Sequence, residues 1–235
     1  MRLMGDVLDR AACADDTDAP PQPAGWYARF GKRTLDVLVA ASALILLAPV
    51  LLAVAGAVRL RLGSPVLFRQ ERPGRDGRVF TMYKFRSMTD RTDGNGELLP
   101  DSARLTGFGR WLRASSLDEL PEFFNILRGD MSLVGPRPLA LDYVPHYTAR
   151  EWCRHRVRPG LTGLAQVNGR NATTWEERFE YDLEYVSRLS FLTDVSIVLR
   201  TVGTVLGRSG VGVRGVSSLD DFDEYRSRGG RGEPS

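Results

Sequence analysis

TLDVLVAASALILLAPVLLAVAGAV, Thr34 to Val58, is 25 residues long and carries one charge, Asp36, near its start. As a continuous helix it would span about 37 Å, against roughly 30 Å for a bilayer's hydrocarbon core. Pro49 falls near the middle, where it removes a backbone donor and bends the helix. Basic residues flank both ends, Arg29, Lys32 and Arg33 before it and Arg59 and Arg61 after it. The positive-inside rule puts both ends on the cytoplasmic side. One crossing does not satisfy that, whereas a re-entrant helix broken at Pro49 does. A Pro-kinked crossing helix and a buried core helix are the competing readings of the same stretch.

Outward from this segment, residues 1–28 are acidic and Ala/Pro-rich without an apolar stretch, and read as a disordered tail. Residues 64–88, SPVLFRQERPGRDGRVFTMYKFRSM, carry apolar runs on either side of a turn-rich centre. Asp76-Gly77 within that centre is a hairpin signal. Arg69, Arg72, Lys84 and Arg86 line the two strands and make either a solvated face or a phosphate-facing one. Residues 89–105 are polar and Gly/Asp-rich, a surface loop, and a short helix follows around 106–113 with Arg110 and Arg113. Helices are expected over 119–128, 141–154, 174–188 and 191–206, with a Gly-punctuated loop at 158–171. On helix 174–188, Trp175, Phe179, Asp182 and Tyr185 recur at helical spacing, the aromatic ones as core residues. From Gly207 to Ser235 the composition again predicts disorder. The fold class is therefore α+β, mostly helical, with a cytoplasmic globular part at 64–206 and a membrane segment at 34–58.

Lys and Arg total 32 against 29 Asp and Glu, a net charge of +3. That balance favours anionic partners: nucleic acid, phosphorylated small molecules or an anionic membrane face. A nucleic-acid role is disfavoured by the apolar segment and the lack of any binding motif. Cys13 and Cys153, like His146 and His155, have no metal-type spacing.

The chemistry concentrates in SSLDELPEFFNIL, residues 115–127. Ser116 and Glu119 spell a capping box. Pro121 argues for a helix start at or just after Asp118, because proline fits only the first turn. Asp118 would then sit at the helix N-terminus, where backbone donors favour negative charge. An acidic cap and a phosphoryl-carrying carboxylate both remain open on this segment alone. Arg113, five residues upstream, and Arg137, stiffened between Pro136 and Pro138, supply the cations a phosphoryl-transfer site needs. Glu119 suits a Mg²⁺ shell completed by substrate phosphates. The competing class is a non-enzymatic membrane-surface adaptor whose arginines bind anionic lipid. It offers no reason for adjacent acids within an arginine-rich setting.

KRTLDV (32–37) with its Pro-broken apolar run, FRQERPGRDGRVFTMYKFRSM (68–88), SLDELPEFFNILRGDMSLVGPRP (116–138) and RPGLTGLAQVNGRN (158–171) resemble the bacterial sugar transferase family, in order, over about residues 29–206. These are monotopic polyprenyl-phosphate phosphoglycosyl transferases, here of the compact form. The resemblance implies that Asp118 attacks the β-phosphorus of a UDP-sugar, releases UMP, and passes the sugar phosphate to polyprenyl (undecaprenyl) phosphate. Glu119 would help bind Mg²⁺, and Arg113 and Arg137 match family arginines near the phosphates; Lys84 and Arg86, on the phosphate-facing reading of the strands, are further substrate-binding candidates. Gln166 and Arg170, in the 160–171 loop, would serve the nucleotide-sugar end. The implied location is the cytoplasmic face of the bacterial inner membrane, among membrane lipids, with downstream glycosyltransferases and oligomers as further partners. This sequence departs from the family at Ala48, where Ser is frequent, and at Glu122, where Gln is usual.

Overall fold

The computed structural model describes residues 23–168, 174–206 and 222–227. A five-residue π turn, Tyr27–Gly31, leads into helix α1 (Lys32–Leu46), followed by α2 (Ala48–Arg61). The two helices meet at 64°. The break is at Leu47, whose φ of −92° and ψ of 5° leave the helical region. Pro49 sits in the first turn of α2, where a missing N–H leaves no bond unmade. Among the described residues no single helix is long and apolar enough to cross a membrane; the bent pair passes that test only together.

Helix α1 is amphipathic in reverse. Its buried stripe is Lys32, Asp36 and Ala40, at the i, i+4, i+8 spacing of one helix face. Leu38, Ile45 and Leu46 point outward, Leu46 being 77% exposed. The inward charges are paired. Lys32 Nζ lies 2.7 Å from Asp194 Oδ2, and Asp36 Oδ1 accepts the Leu133 N–H at 3.0 Å. Tyr27 and Tyr185 donate their hydroxyls to Asp194 at 2.6 and 2.8 Å. A satisfied polar stripe of this kind anchors the helix to the protein while its apolar face is left uncovered.

Strands β1 (Leu67–Pro73) and β2 (Val79–Phe85) pair antiparallel from Leu67↔Phe85 to Pro73↔Val79. Their turn places Asp76 at φ 55° and Gly77 at φ 72°, left-handed geometry that Asp and Gly tolerate best. Helices α2 and α4 (Glu122–Arg128) pack on this hairpin, with α4 also against α1, and helix α3 (Gly107–Ala114) joins them through Leu112, buried with Phe85, Val54 and Val58. Ala40, Phe80, Met82, Ile126 and Met131 form the buried cluster between α1, α4 and the hairpin. Arg33 donates to the Ile126 and Leu127 carbonyls at 2.6 and 2.9 Å, capping the C-terminus of α4 with a cation.

Strand β3 (Ser132–Val134) pairs in parallel with β4 (Gly160–Thr162). A Cβ on Gly160 would lie 2.1 Å from the Gly135 nitrogen, so the glycines are required by close backbone approach. Helices α5 (Trp175–Ser187) and α6 (Phe191–Leu206) cover the other side of this small sheet, burying Val134, Tyr185, Val186 and Ile197.

Several boundaries differ from the sequence reading. Helix α4 starts at Glu122, and the expected helix 141–154 is split into a 3-10 turn (Leu141–His146), a single α-turn (Ala149–Trp152) and a second 3-10 turn (Cys153–Arg156). Pro145 lies inside the first of these and prevents a continuous ladder. The 158–171 stretch contains β4 and a short helix, Leu164–Asn168. Within the tail expected to be disordered, Phe222–Ser227 forms helix α7; residues 1–22, 207–221 and 228–235 lie outside the described ones.

Phe222 is fully buried among Tyr147, Trp175 and Phe179, with Tyr143 at its edge. Arg226 pairs with Glu151, and Tyr225 donates to Glu176 at 2.8 Å. Composition concealed this element because one aromatic per turn carries all its burial. Phe222→Ala is expected to lower stability by about 3–4 kcal/mol, read as a shifted denaturant midpoint. A loss under about 1 kcal/mol would mean that the ring is not seated in solution.

Candidate active site

A cleft of about 1060 Å³ runs between the hairpin, the 87–104 segment and the turn ahead of α4. Asp118, Glu119, Glu122, Lys84, Arg113 and Arg137 all line it.

The two adjacent acids occupy a 3-10 turn, Leu117–Glu119, ahead of α4. This corrects the helix start expected at or just after Asp118. Ser116 makes no side-chain cap; it is left-handed at φ 58°, a costly conformation for a non-glycine residue that recurs at functional sites. Pro121, not Asp118, is the N-cap of α4, and Glu122 is the acid of its first turn. The proline takes the place where its absent N–H matters least. The turn thereby precedes the helix, with Glu119 facing Lys84 of the hairpin.

The cations arrive from three directions. Lys84 on β2 donates to Glu119 Oε1 at 2.9 Å and lies 3.1 Å from Glu122 Oε1. Arg137 reaches the same Glu119 oxygen at 3.0 Å. Arg113 Nε donates to Ser87 Oγ at 2.9 Å. The α3 helix that carries Arg113 approaches so closely that a Cβ on Gly109 would lie 1.8 Å from the Ser87 carbonyl oxygen. Glu119 thus serves as the fixed counter-ion of two cations, while the Asp118 carboxylate, without an ion pair among the described residues, feels all three by charge.

Burial, and then the charge of Glu119, push Asp118 up to about 6, although Lys84, Arg113 and Arg137 pull the other way. Glu122, 3% exposed, is pushed up to about 7 by burial, with Lys84 opposing. Burial leads both shifts, and the charge of Glu119 adds to each while Lys84 opposes it. A nearly dry carboxylate facing three cations is poised to accept an electrophilic phosphorus, whose oxygens the cations can hold.

The supports of this arrangement lie outside the motifs' acids. Asn125, fully buried, accepts the Tyr83 N–H through Oδ1 at 3.0 Å and donates to the Thr81 carbonyl at 2.7 Å. It thereby fixes α4 to β2 and sets the spacing between Lys84 and the acids. Arg137 is held through its backbone: the preceding Pro136 carbonyl accepts the Gly160 N–H at 2.9 Å. Its own carbonyl accepts from Arg154 at 2.7 Å. Arg154 is in turn paired with Asp182 through two nitrogens at 2.9 and 2.6 Å, both side chains buried. The sequence offered a signal for each: an Asn inside the apolar run EFFNIL, and an Asp on the aromatic face of helix 174–188.

Other expected residues stand elsewhere. Arg86 lines the cleft but turns its nitrogens to the Met88 and Ser64 carbonyls, at 2.8 and 2.7 Å, and to Asp90 at 3.1 Å, bracing the strand end. Gln166 is not among the cleft residues; its amide folds back to donate to the Leu161 carbonyl at 3.1 Å. Arg170 lies outside the described residues. Among the described residues no three or more His, Cys, Asp or Glu side chains gather as a metal centre.

The sequence model of the family described as bacterial sugar transferase matches residues 27–208. The chain is 51% identical over 180 residues to the uncharacterized sugar transferase EpsL of Bacillus subtilis, covering 77% of this chain and 89% of that one. It is 44% identical over 181 residues to the UDP-glucose:undecaprenyl-phosphate glucose-1-phosphate transferase of Klebsiella pneumoniae, covering 73% of this chain and 39% of that protein. It is 41% identical over 201 residues to the UDP-N-acetylgalactosamine-undecaprenyl-phosphate N-acetylgalactosaminephosphotransferase of Aeromonas hydrophila, 82% of this chain and 47% of that one. The chain therefore spans under half the length of those two larger relatives. With the family match running from the π turn before α1 to the end of α6, and the Asp118–Glu119 cleft inside it, the chain belongs to the bacterial sugar transferase family.

Proposed function

We propose that the protein transfers a sugar 1-phosphate from a UDP-sugar to polyprenyl (undecaprenyl) phosphate through a phosphosugar ester on Asp118. The observation that carries this reading is the Asp118 carboxylate, 8% exposed, raised towards neutrality and set against Lys84, Arg113 and Arg137 in a cleft large enough for a nucleotide sugar. A carboxylate oxygen of Asp118 attacks the β-phosphorus, the bond from that phosphorus to the bridging oxygen breaks, and UMP departs with the electron pair. A phosphate oxygen of the polyprenyl phosphate then attacks the same phosphorus, the Asp118 oxygen–phosphorus bond breaks, and the carboxylate is restored. Lys84 and Arg137 neutralise charge growing on the phosphoryl oxygens while Glu119 keeps both oriented.

Glu119, which lines the cleft beside Asp118, would hold a Mg²⁺, an ion that takes one or two carboxylates and fills its remaining positions with phosphate oxygens and water. When bound it would supply charge neutralisation for the diphosphate. The names of the relatives, two of which act on undecaprenyl phosphate with different UDP-sugars, support the lipid acceptor and leave the sugar to be measured.

The reading places the chain at the cytoplasmic face of a bacterial inner membrane, with α1 and α2 as a re-entrant pair. The outward apolar face of α1, together with exposed Leu52, Leu60, Phe191, Leu192 and Leu199, supports contact with lipid. Incubation with a panel of UDP-sugars, Mg²⁺ and no lipid is expected to release UMP in stoichiometric amount and to add one sugar phosphate to the intact mass. Absence of both across the panel would remove the covalent mechanism.

A further inference from the structure

Arg72 has no part in the steps above, yet it is set where an anion is needed. In the β1–β2 ladder Phe68 pairs with Lys84, Gln70 with Met82 and Arg72 with Phe80. Directly opposed residues share one face of an antiparallel pair, so Phe68, Gln70 and Arg72 stand on the same side as Lys84. Gln70, Arg72, Lys84 and Arg137 all line the cleft. Gln70 Oε1 accepts from Arg72 Nη2 at 2.6 Å, which fixes the guanidinium there. Its Nε is buried and has no hydrogen-bond partner, and Arg72 forms no ion pair among the described residues. Burial and the nearby positive charge of Arg137 lower its pKa, against weaker support from Tyr143, Tyr147 and Glu122; Arg137 has Glu119 as its acid, whereas Arg72 has no acid at ion-pair distance.

A buried donor without an acceptor costs about 1–3 kcal/mol, and here an adjacent like charge adds to it. A bound phosphate removes both penalties, because the guanidinium fork matches two phosphate oxygens. Position 72 is four residues along β1 from the partner of Lys84, about 13 Å of strand. Arg72 is therefore placed farther along the cleft than Lys84, beside a neighbouring phosphate. In-line displacement decides which one. UMP leaves opposite the Asp118 oxygen in the first step. In the second step Asp118 is the leaving group, so the attacking lipid phosphate comes from that same side.

We infer that Arg72 and Arg137, oriented by Gln70, form one phosphate seat used twice, first by the phosphate of the departing nucleotide and then by that of the incoming polyprenyl phosphate. This inference rests on the two-step reading given above.

The test uses the full-length protein in detergent or nanodiscs. UMP is expected to inhibit competitively against polyprenyl phosphate. Arg72→Gln is expected to raise the UMP inhibition constant and the KM for polyprenyl phosphate together, each about tenfold or more, the loss of one charge-assisted contact. Arg72→Lys should recover part of both. If Arg72→Gln does not fold, Gln70→Ala, which frees the guanidinium and keeps its charge, should raise both constants severalfold. Either constant staying within twofold of wild type in a folded variant overturns the shared seat. A wild-type protein that releases no UMP from any UDP-sugar would instead defeat the two-step reading, so the two failures are distinguishable.

Discussion

Asp118→Asn protein is expected to take up no sugar phosphate from any UDP-sugar and to lose turnover about ten-thousand-fold or more, the scale on which loss of a covalent nucleophile is felt. The amide keeps the shape of the side chain but has no oxygen able to form and release a phosphoryl ester. Misfolding would not explain this loss. The carboxyl titrates near 6 in the folded protein against an ordinary value of 3.8, so the folded state prefers it protonated. Its ionisation lowers stability as pH rises from about 3.8 to 6, and above 6 the penalty is complete. A neutral isostere removes that penalty, and Asp118→Asn should melt at or above the wild-type temperature at pH 7. The same shift governs rate: the reactive form is the carboxylate, so the lipid-free half-reaction should fall away as pH drops through about 6. A divalent cation held by Glu119 would add positive charge and move that acid limb lower. Wild-type turnover by Asp118→Asn protein would exclude the residue as nucleophile.

Asp182→Ala is expected to be the most damaging change outside the cleft. It leaves the Arg154 guanidinium, which is 3% exposed, without its acid in an apolar setting. Breaking one side of a buried pair costs about 3–5 kcal/mol, or about 10 °C of melting temperature for a domain of this size. Activity should suffer beyond stability, because Arg154 also holds the Arg137 carbonyl at 2.7 Å. KM for the UDP-sugar should therefore rise even at temperatures where the variant is folded. Replacing both members, Asp182→Leu with Arg154→Met, should restore most of the stability, since an apolar pair of similar volume replaces buried ions with little loss. It should leave KM raised, because no donor remains for the Arg137 carbonyl. If the double variant restored KM as well, Arg154 would have no positioning role.

What was legible in the sequence was local. Asp76-Gly77 announced its hairpin because a left-handed turn admits few other residues. The Pro-interrupted apolar run announced a broken helix, since proline's missing donor acts on its own backbone whatever surrounds it. Asp118 and Glu119 stood out as adjacent acids among arginines, and four ordered motifs gave the family. The cap register was not legible. Pro121 indicated a helix start near Asp118, but the left-handed turn at Ser116 and the 3-10 turn at Leu117–Glu119 depend on packing against the hairpin.

The sequence by itself determined which residues carry charge near the dyad; only the tertiary structure decided which of them face it. Lys84 and Arg86 are two residues apart, yet one binds Glu119 and Glu122 while the other closes on Ser64, Met88 and Asp90. Helical spacing marks Asp182 and Trp175, but it does not name their partners: Arg154, 28 positions from Asp182, and Phe222, buried against Tyr147 and Trp175, are set by the fold, because a pair distant in the chain imposes no spacing on either neighbour. Arg72 reads as one more basic residue on a strand until the β1–β2 register puts it on the face shared with Lys84. Local backbone preference is written into neighbouring residues. The energy of a buried charge depends on what the whole fold brings within a few ångströms of it.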